Sequence, residues 1–252
     1  MTHDNTAMKM KRQTRIPEGN PRVNALLEHL PDDEYNVLLS NAQVLTLKHG
    51  QVLFNDGEPA DMAYFPLTAI ISMIALMKNG DEIEYGTIGR EGMVGLQVAL
   101  NAQPLRGRAL CQLEGEAICF NGAELRQIEH AAAPQLQRLL LRYAQATINV
   151  LAQSTACNAL HSVRERTARW LLLTRDRAGG ETFDLTQEFL AKMLGVRRVS
   201  VTEIAGDLQR EGVIEYIRRQ IRILDSKRLE ETACECYEMI RDEYLRVLDD
   251  TR

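Results

Sequence analysis

Near the C-terminal end of the chain, Thr186, Arg197, Arg198, Ser200, Thr202, Arg218 and Arg219 gather guanidinium and hydroxyl groups into one short stretch. A guanidinium carries a fixed charge and a planar fork of donors that fits a phosphate or the O6/N7 edge of guanine, and Ser or Thr serves bases and phosphates alike. That chemistry recognises a polyanion and breaks no bond. The apolar spacing around these groups says how they are held. Thr186 caps a short helix whose apolar side is Phe189, Leu190, Met193 and Leu194, and Gly195 ends it where a positive φ is free of a Cβ penalty. A second helix from about Arg197 to Arg210 buries Val201, Ile204, Ala205 and Leu208, leaving Arg197, Arg198, Ser200, Thr202 and Glu203 outside. Two short helices joined at a glycine form a helix-turn-helix, whose second helix leads into the major groove of DNA. Val213–Leu224 reads as two strands around Arg218-Arg219-Gln220, a basic tip suited to phosphates.

Charge is segregated in support of this reading. The whole chain of 252 residues carries a net charge of −5, yet residues 161–228 hold 14 basic and 10 acidic side chains, whereas 229–252 hold 3 and 8. The elements that must position the reading segment precede it. Residues 1–20 are polar and aperiodic and read as a mobile tail. Pro21–Ser40 gives one or two short helices interrupted at Pro31. From Asn41, short apolar runs alternate with the turn clusters Lys48-His49-Gly50, Asn55–Pro59, Lys78–Asp81 and Gly89–Gly92, the pattern of an antiparallel β roll. Asn79-Gly80 is its most specific hairpin signal.

Glu124–His130 is helical, and Pro134 opens a helix of about six turns on which Leu136, Leu140, Tyr143, Thr147, Val150, Ser154 and Cys157 form a stripe. Packing against a second copy is the economical way to bury that stripe, the alternative being the chain's own β roll. Ser162–Arg177 gives a further helix ending at Gly179-Gly180, with Trp170 in its core. The acidic tail Glu230–Leu248 reads as one helix with Ala233, Tyr237, Ile240, Tyr244 and Val247 on one face. The fold class is therefore α+β, with a jelly-roll-like β domain (21–133), a dimerisation helix (134–160), a winged helix-turn-helix (161–228) and an acidic helix (229–252).

Other chemistries find little support. No apolar run suits a membrane span or signal peptide, so a cytoplasmic protein without membrane contact is expected. Cys111, Cys119, Cys157, Cys234 and Cys236 give neither a disulfide framework nor a cluster spacing, and Cys234 and Cys236, taken as helical, point about 200° apart and cannot grip one ion. No metal or catalytic site is expected, and haem through His49 or His161 has only a slight claim. Nucleotide-binding loops and nucleophile–base pairs are absent, which leaves no reading as an enzyme. A signal-binding protein with a degenerate C-terminal domain is the alternative class.

The order of parts resembles the Crp/Fnr family of bacterial transcription regulators over residues 25–228, most specifically at LTQEFLAKMLGVRRVSVTEIAGDLQREGVI. The resemblance implies a homodimer acting on a near-palindromic operator, with RNA polymerase as a further partner. It puts Arg198, Val199, Ser200 and Thr202 at recognition positions; Glu203 departs from the Arg of many members, implying a different operator. In cyclic-nucleotide binders of the family, Gly-Glu precedes Arg-Ser-Ala, the Glu holding ribose and the Arg phosphate. Here the match is Gly95-Leu96 followed by Arg106-Gly107-Arg108-Ala109. Leu96 accepts no hydrogen bond, so cyclic AMP is not the expected effector and no cofactor is assigned.

Overall fold

A computed structural model of the protein describes residues 24–102 and 106–249. The expected tail, Pro21 and Val23 lie outside these residues. Asn24 opens α1 (Ala25–Glu28), its side-chain oxygen accepting from the Leu26 and Leu27 amides. Pro31 then ends one helix and starts the next, α2 (Asp32–Ser40), whose first turn holds Asp32, Asp33 and Glu34 against the positive helix end.

The sensor follows as β1 (Gln43–Leu47), β2 (Val52–Phe54), β3 (Met62–Pro66), β4 (Ile70–Leu76), β5 (Glu82–Ile88), α3 (Leu96–Ala99), β6 (Arg108–Leu113) and β7 (Gly115–Asn121). Two antiparallel sheets, in the orders β1-β7-β3 and β2-β6-β4-β5, share a core that includes Leu47, Tyr64, Ile71, Met73 and Cys119. The β4–β5 hairpin turns where the Asn-Gly pair predicts, with Gly80 at φ 91°.

Beyond the roll come α4 (Gly122–Ala132) and α5 (Pro134–Leu160), the latter 27 residues long with Pro134 in its first turn. Glu34 clamps the start of α5, its carboxylate accepting from the Gln135 and Leu136 amides at 3.0 Å, donors that no helical carbonyl serves. The expected dimer stripe is corrected here. Leu136, Leu140, Tyr143 and Val150 are buried in this chain's own core, and the half-buried Thr147 turns its hydroxyl back to the Tyr143 carbonyl. What α5 leaves open is another face, with Leu141 58% and Ile148 60% exposed. The stripe found its partner inside the chain because the tail folds back onto α5, which periodicity along α5 alone does not reveal.

α6 (Val163–Ala178) starts with a capping box between Ser162 and Glu165 and stops at the left-handed Gly179. β8 (Thr182–Asp184), α7 (Gln187–Leu194), α8 (Arg198–Arg210), β9 (Ile214–Ile217) and β10 (Gln220–Ile223) complete the winged unit, with strand order β8-β10-β9. The tail is two helices, not one: α9 (Ser226–Thr232) and α10 (Cys236–Asp249), separated at Ala233–Glu235. α10 buries Tyr237, Ile240, Tyr244 and Val247, and the Tyr244 ring stacks on Tyr143 of α5 at 5.6 Å. Because Cys234 lies in the break, the helical angle between it and Cys236 has no meaning, and the two thiols approach one another. No described helix is long and apolar enough to cross a membrane.

Candidate nucleic-acid interface and effector cavity

The reading segment is built from strong local signals. Thr186 caps α7 through its hydroxyl, which accepts from the Phe189 amide at 3.1 Å, and Gly195 leaves α7 at φ 65°. α8 then begins at Arg198 with Arg197 as its cap. Val201, Ala205 and Leu208 are buried beneath it, so Arg197, Arg198, Val199 and Thr202 face outward and Ser200 is half-buried. Thr202 donates to the Gln187 side chain at 2.7 Å, which ties the two helices together and brings Gln187 to the reading surface. Sequence reasoning missed Gln187. Its signal was its place directly after the cap, on the turn that faces α8.

The wing tip is Arg218-Arg219, and Arg218 holds φ 57°, a left-handed conformation that costs a side-chain-bearing residue about 1–2 kcal/mol. The Leu185 amide donates to the Arg219 carbonyl at 2.7 Å and fixes the tip beside Thr186. Arg197, Arg198, Arg218 and Arg219 have no ion-pair partner among the described residues. Arg164 and Arg222, on the same unit, are held by Glu211 and Glu215 at 2.7 and 3.7 Å. The charges expected to meet DNA are thus left unneutralised, unlike these neighbours on the same unit.

In the sensor, an apolar cavity of about 240 Å³ lies between β4–β5, the Met93–Leu100 segment and α5. Gly95 and Leu96 line it, beside Tyr85, Thr87, Tyr143 and Thr147. Gly95 has φ 95°, and a Cβ there would meet the Met62 carbonyl at 2.6 Å. Gln97 is buried with both side-chain amide atoms unpaired, the most conspicuous polar group in an otherwise greasy wall. The other three residues expected in the pocket are not there. Arg106 is 89% exposed and faces Asp56 at 3.6 Å, Arg108 is bound by Glu82 at 3.2 Å, and Ala109 sits in the core between the sheets. Arg108 and Ala109 are consecutive strand residues and therefore point to opposite faces.

Comparison with known proteins decides the family. Residues 44–130 match the cyclic nucleotide-binding domain model and residues 165–232 the Crp-like helix-turn-helix domain model. The chain belongs to the Crp/Fnr family of transcription regulators. A CRP-like cAMP-activated global transcriptional regulator of Mycobacterium tuberculosis is 26% identical over 199 residues, covering 76% of this chain and 88% of the relative. A global nitrogen regulator of Nostoc is 25% identical over 189 residues, covering 71% and 84%. Among solved structures, FixK2 of Bradyrhizobium japonicum has a TM-score of 0.66 at 17% identity, covering 77% of this chain and 98% of that one. A Crp/Fnr transcriptional regulator of Thermus thermophilus has a TM-score of 0.61 at 23% identity, covering 76% and 98%. The protein is a DNA-binding transcription regulator, and the reading without DNA contact is not favoured.

In this Crp/Fnr regulator the reading head is docked on the sensor. The β4–β5 hairpin faces α7 and α8 across a cleft of about 870 Å³ that is lined by Asp81, Glu82, Lys192, Arg197 and Ser200. A second cleft sets His49 and Glu114 opposite Thr186, Phe189 and Arg219. Trp170 of α6 donates to Glu84 of β5 at 2.8 Å, and Arg177 pairs with Glu91 at 2.7 Å, so both contacts bridge the two units. Burial raises the Glu84 pKa, against the hydrogen bonds from Thr87 and Trp170. Of the expected DNA contacts, Arg197, Arg198, Val199, Thr202, Arg218 and Arg219 are exposed and Thr186 and Ser200 half-buried, and Thr186, Arg197, Ser200 and Arg219 border clefts shared with the sensor.

Proposed function

We propose that this regulator binds a near-palindromic operator as a homodimer, reading bases with the start of α8 and phosphates with the wing. Arg197, Arg198, Arg218 and Arg219, exposed and without an acidic partner among the described residues, carry this reading. Arg198 takes guanine in bidentate fashion, Val199 and Thr202 flank it, and Gln187 completes the surface. Arg218 and Arg219 hold the backbone. The open face of α5, with Leu141 and Ile148, is the dimer seam. A two-fold dimer sets half-sites about 34–36 Å apart. Acting on DNA, the regulator works in the cytoplasm and engages RNA polymerase.

The effector fits the apolar cavity beneath α5. Without a carboxylate at Leu96 or an arginine in its wall, the cavity suits a small neutral compound that satisfies the Gln97 amide better than it suits cyclic AMP. Ligand pressing on β5 and α5 loosens the hairpin from α7 and α8, removing Asp81 and Glu82 from the approach of DNA phosphates. The test is fluorescence anisotropy on an operator selected from random DNA. Selection that yields no enriched two-fold site overturns the proposal, and calorimetry showing micromolar cyclic AMP binding overturns its effector part.

A further inference from the structure

We propose that Cys157, His161, Cys234 and Cys236 form a tetrahedral site for one thiolate-loving divalent cation of the zinc type, which clamps the C-terminal segment to the elbow between α5 and α6. Cys157 lies in the last turn of α5 and His161 follows that helix as its cap, one turn later on the same side. Cys234 and Cys236 come from the break between α9 and α10 and the start of α10. The four ligand atoms all lie within 4.8 Å of one another. Cys157 Sγ is 3.5 Å from Cys234 Sγ, and Cys236 Sγ is 3.6 Å from His161 Nδ1.

Those separations match one ion. Zinc–sulfur bonds of ~2.3 Å and zinc–nitrogen bonds of ~2.0–2.1 Å set tetrahedral edges of roughly 3.8 Å between sulfurs and 3.5 Å from sulfur to nitrogen. An iron–sulfur cluster spreads its thiolates over several iron atoms, wider than this group allows. Three sulfurs and an imidazole also form a soft donor set, which disfavours magnesium or calcium.

Supporting groups surround the ligands. With Nδ1 directed at the cluster, His161 offers Nε2 to Glu235 Oε2 at 3.2 Å, the carboxylate partner that metal-bound imidazoles commonly have. Gln153 Nε2 donates to Cys236 Sγ at 3.0 Å. Arg166 and Arg169 are buried in electrostatic contact with Cys157, their Nε atoms lack partners, and no described carboxylate pairs with either. Two buried cations without anions are costly, and three thiolates around a dication leave the net negative charge that offsets them. His161 keeps 17% of its side chain accessible, an entry for the ion. All five cysteines are free thiols.

The site joins the end of the sensor's long helix to the segment that packs behind the reading head, so its occupancy stiffens the hinge between the two. The experiment uses the full-length protein, kept reduced and stripped with a chelator, then titrated with cobalt(II) as a spectroscopic probe and with zinc(II). One ion per chain is expected, with tetrahedral cobalt bands and thiolate-to-cobalt charge transfer, and zinc displaces the cobalt and raises the melting temperature. Cys236→Ser weakens the charge-transfer band and the retention of zinc, while Cys119→Ser in the sensor changes neither. Glu235→Gln, at an exposed position that leaves folding intact, lowers zinc affinity by about 10–100-fold. Binding of no ion, cobalt spectra that Cys236→Ser and Glu235→Gln both leave unaltered, or an iron–sulfur chromophore in anaerobically purified protein overturns the proposal.

Discussion

Arg108 of the sensor and Arg198 of the reading head are the same residue type in opposite circumstances. Arg108 is held by Glu82 at 3.2 Å, whereas Arg198 has no acidic partner among the described residues. α5 shows the same contrast in apolar form, since Leu140 is enclosed by its own chain and Ile148 is left 60% exposed. Groups that the fold has satisfied hold the molecule together, and groups that it leaves over mark where a partner binds. The largest test of that contrast lies on α5. Leu140→Glu places an unpaired charge in the core and abolishes folding, as circular dichroism will show. Ile148→Glu leaves the fold intact and yields monomer by light scattering. Should Ile148→Glu remain a dimer, the seam lies elsewhere.

A smaller but sharper effect is expected at the arginines themselves. Arg198→Ala loses about 1–3 kcal/mol of discrimination between the selected operator and single-base variants, while Arg108→Ala leaves DNA affinity unchanged. Arg218→Ala weakens binding to all sequences and lowers the slope of log affinity against log salt by about one unit. Arg218→Gly has the same effect on DNA but stabilises the protein by about 1 kcal/mol, because glycine relieves the left-handed φ of 57°. If Arg218→Gly melts no higher than the wild type, the tip is not strained.

The reading head was legible because its signals are local. Thr186, Gly195 and the apolar spacing of Val201, Ala205 and Leu208 all fall within a few turns, and their roles follow from caps and periodicity. The roll's hairpins were legible for the same reason. Errors arose where distant segments meet. The face of α5 that is buried depends on α10 folding back, with Tyr244 against Tyr143. The cysteine cluster depends on a break at Ala233–Glu235 that no proline or glycine announces. β8, only three residues long, gains its identity from pairing with β10. Arg106 and Arg108 were misplaced because the resemblance fixed their position in the chain, whereas strand alternation decides which way they point.

The smallest expected effect concerns Glu84, a group that is only partly satisfied. Its Oε1 accepts from Trp170 and Thr87 at 2.8 Å, but its enclosed Oε2 has no partner. Burial holds its pKa above the ordinary carboxylate value, so the native state takes up this proton more readily than the unfolded chain. Its contribution is therefore present below the unfolded pKa and is lost as pH rises through the folded one. Glu84→Gln keeps an oxygen for the Trp170 indole and removes the charge. The variant's stability in denaturant titrations should fall less than wild type as pH is raised from the unfolded pKa through the folded one. An unchanged pH slope would mean that Glu84 is ionised in the folded protein, with Arg177, buried beside it and paired to Glu91, supplying the counter-charge.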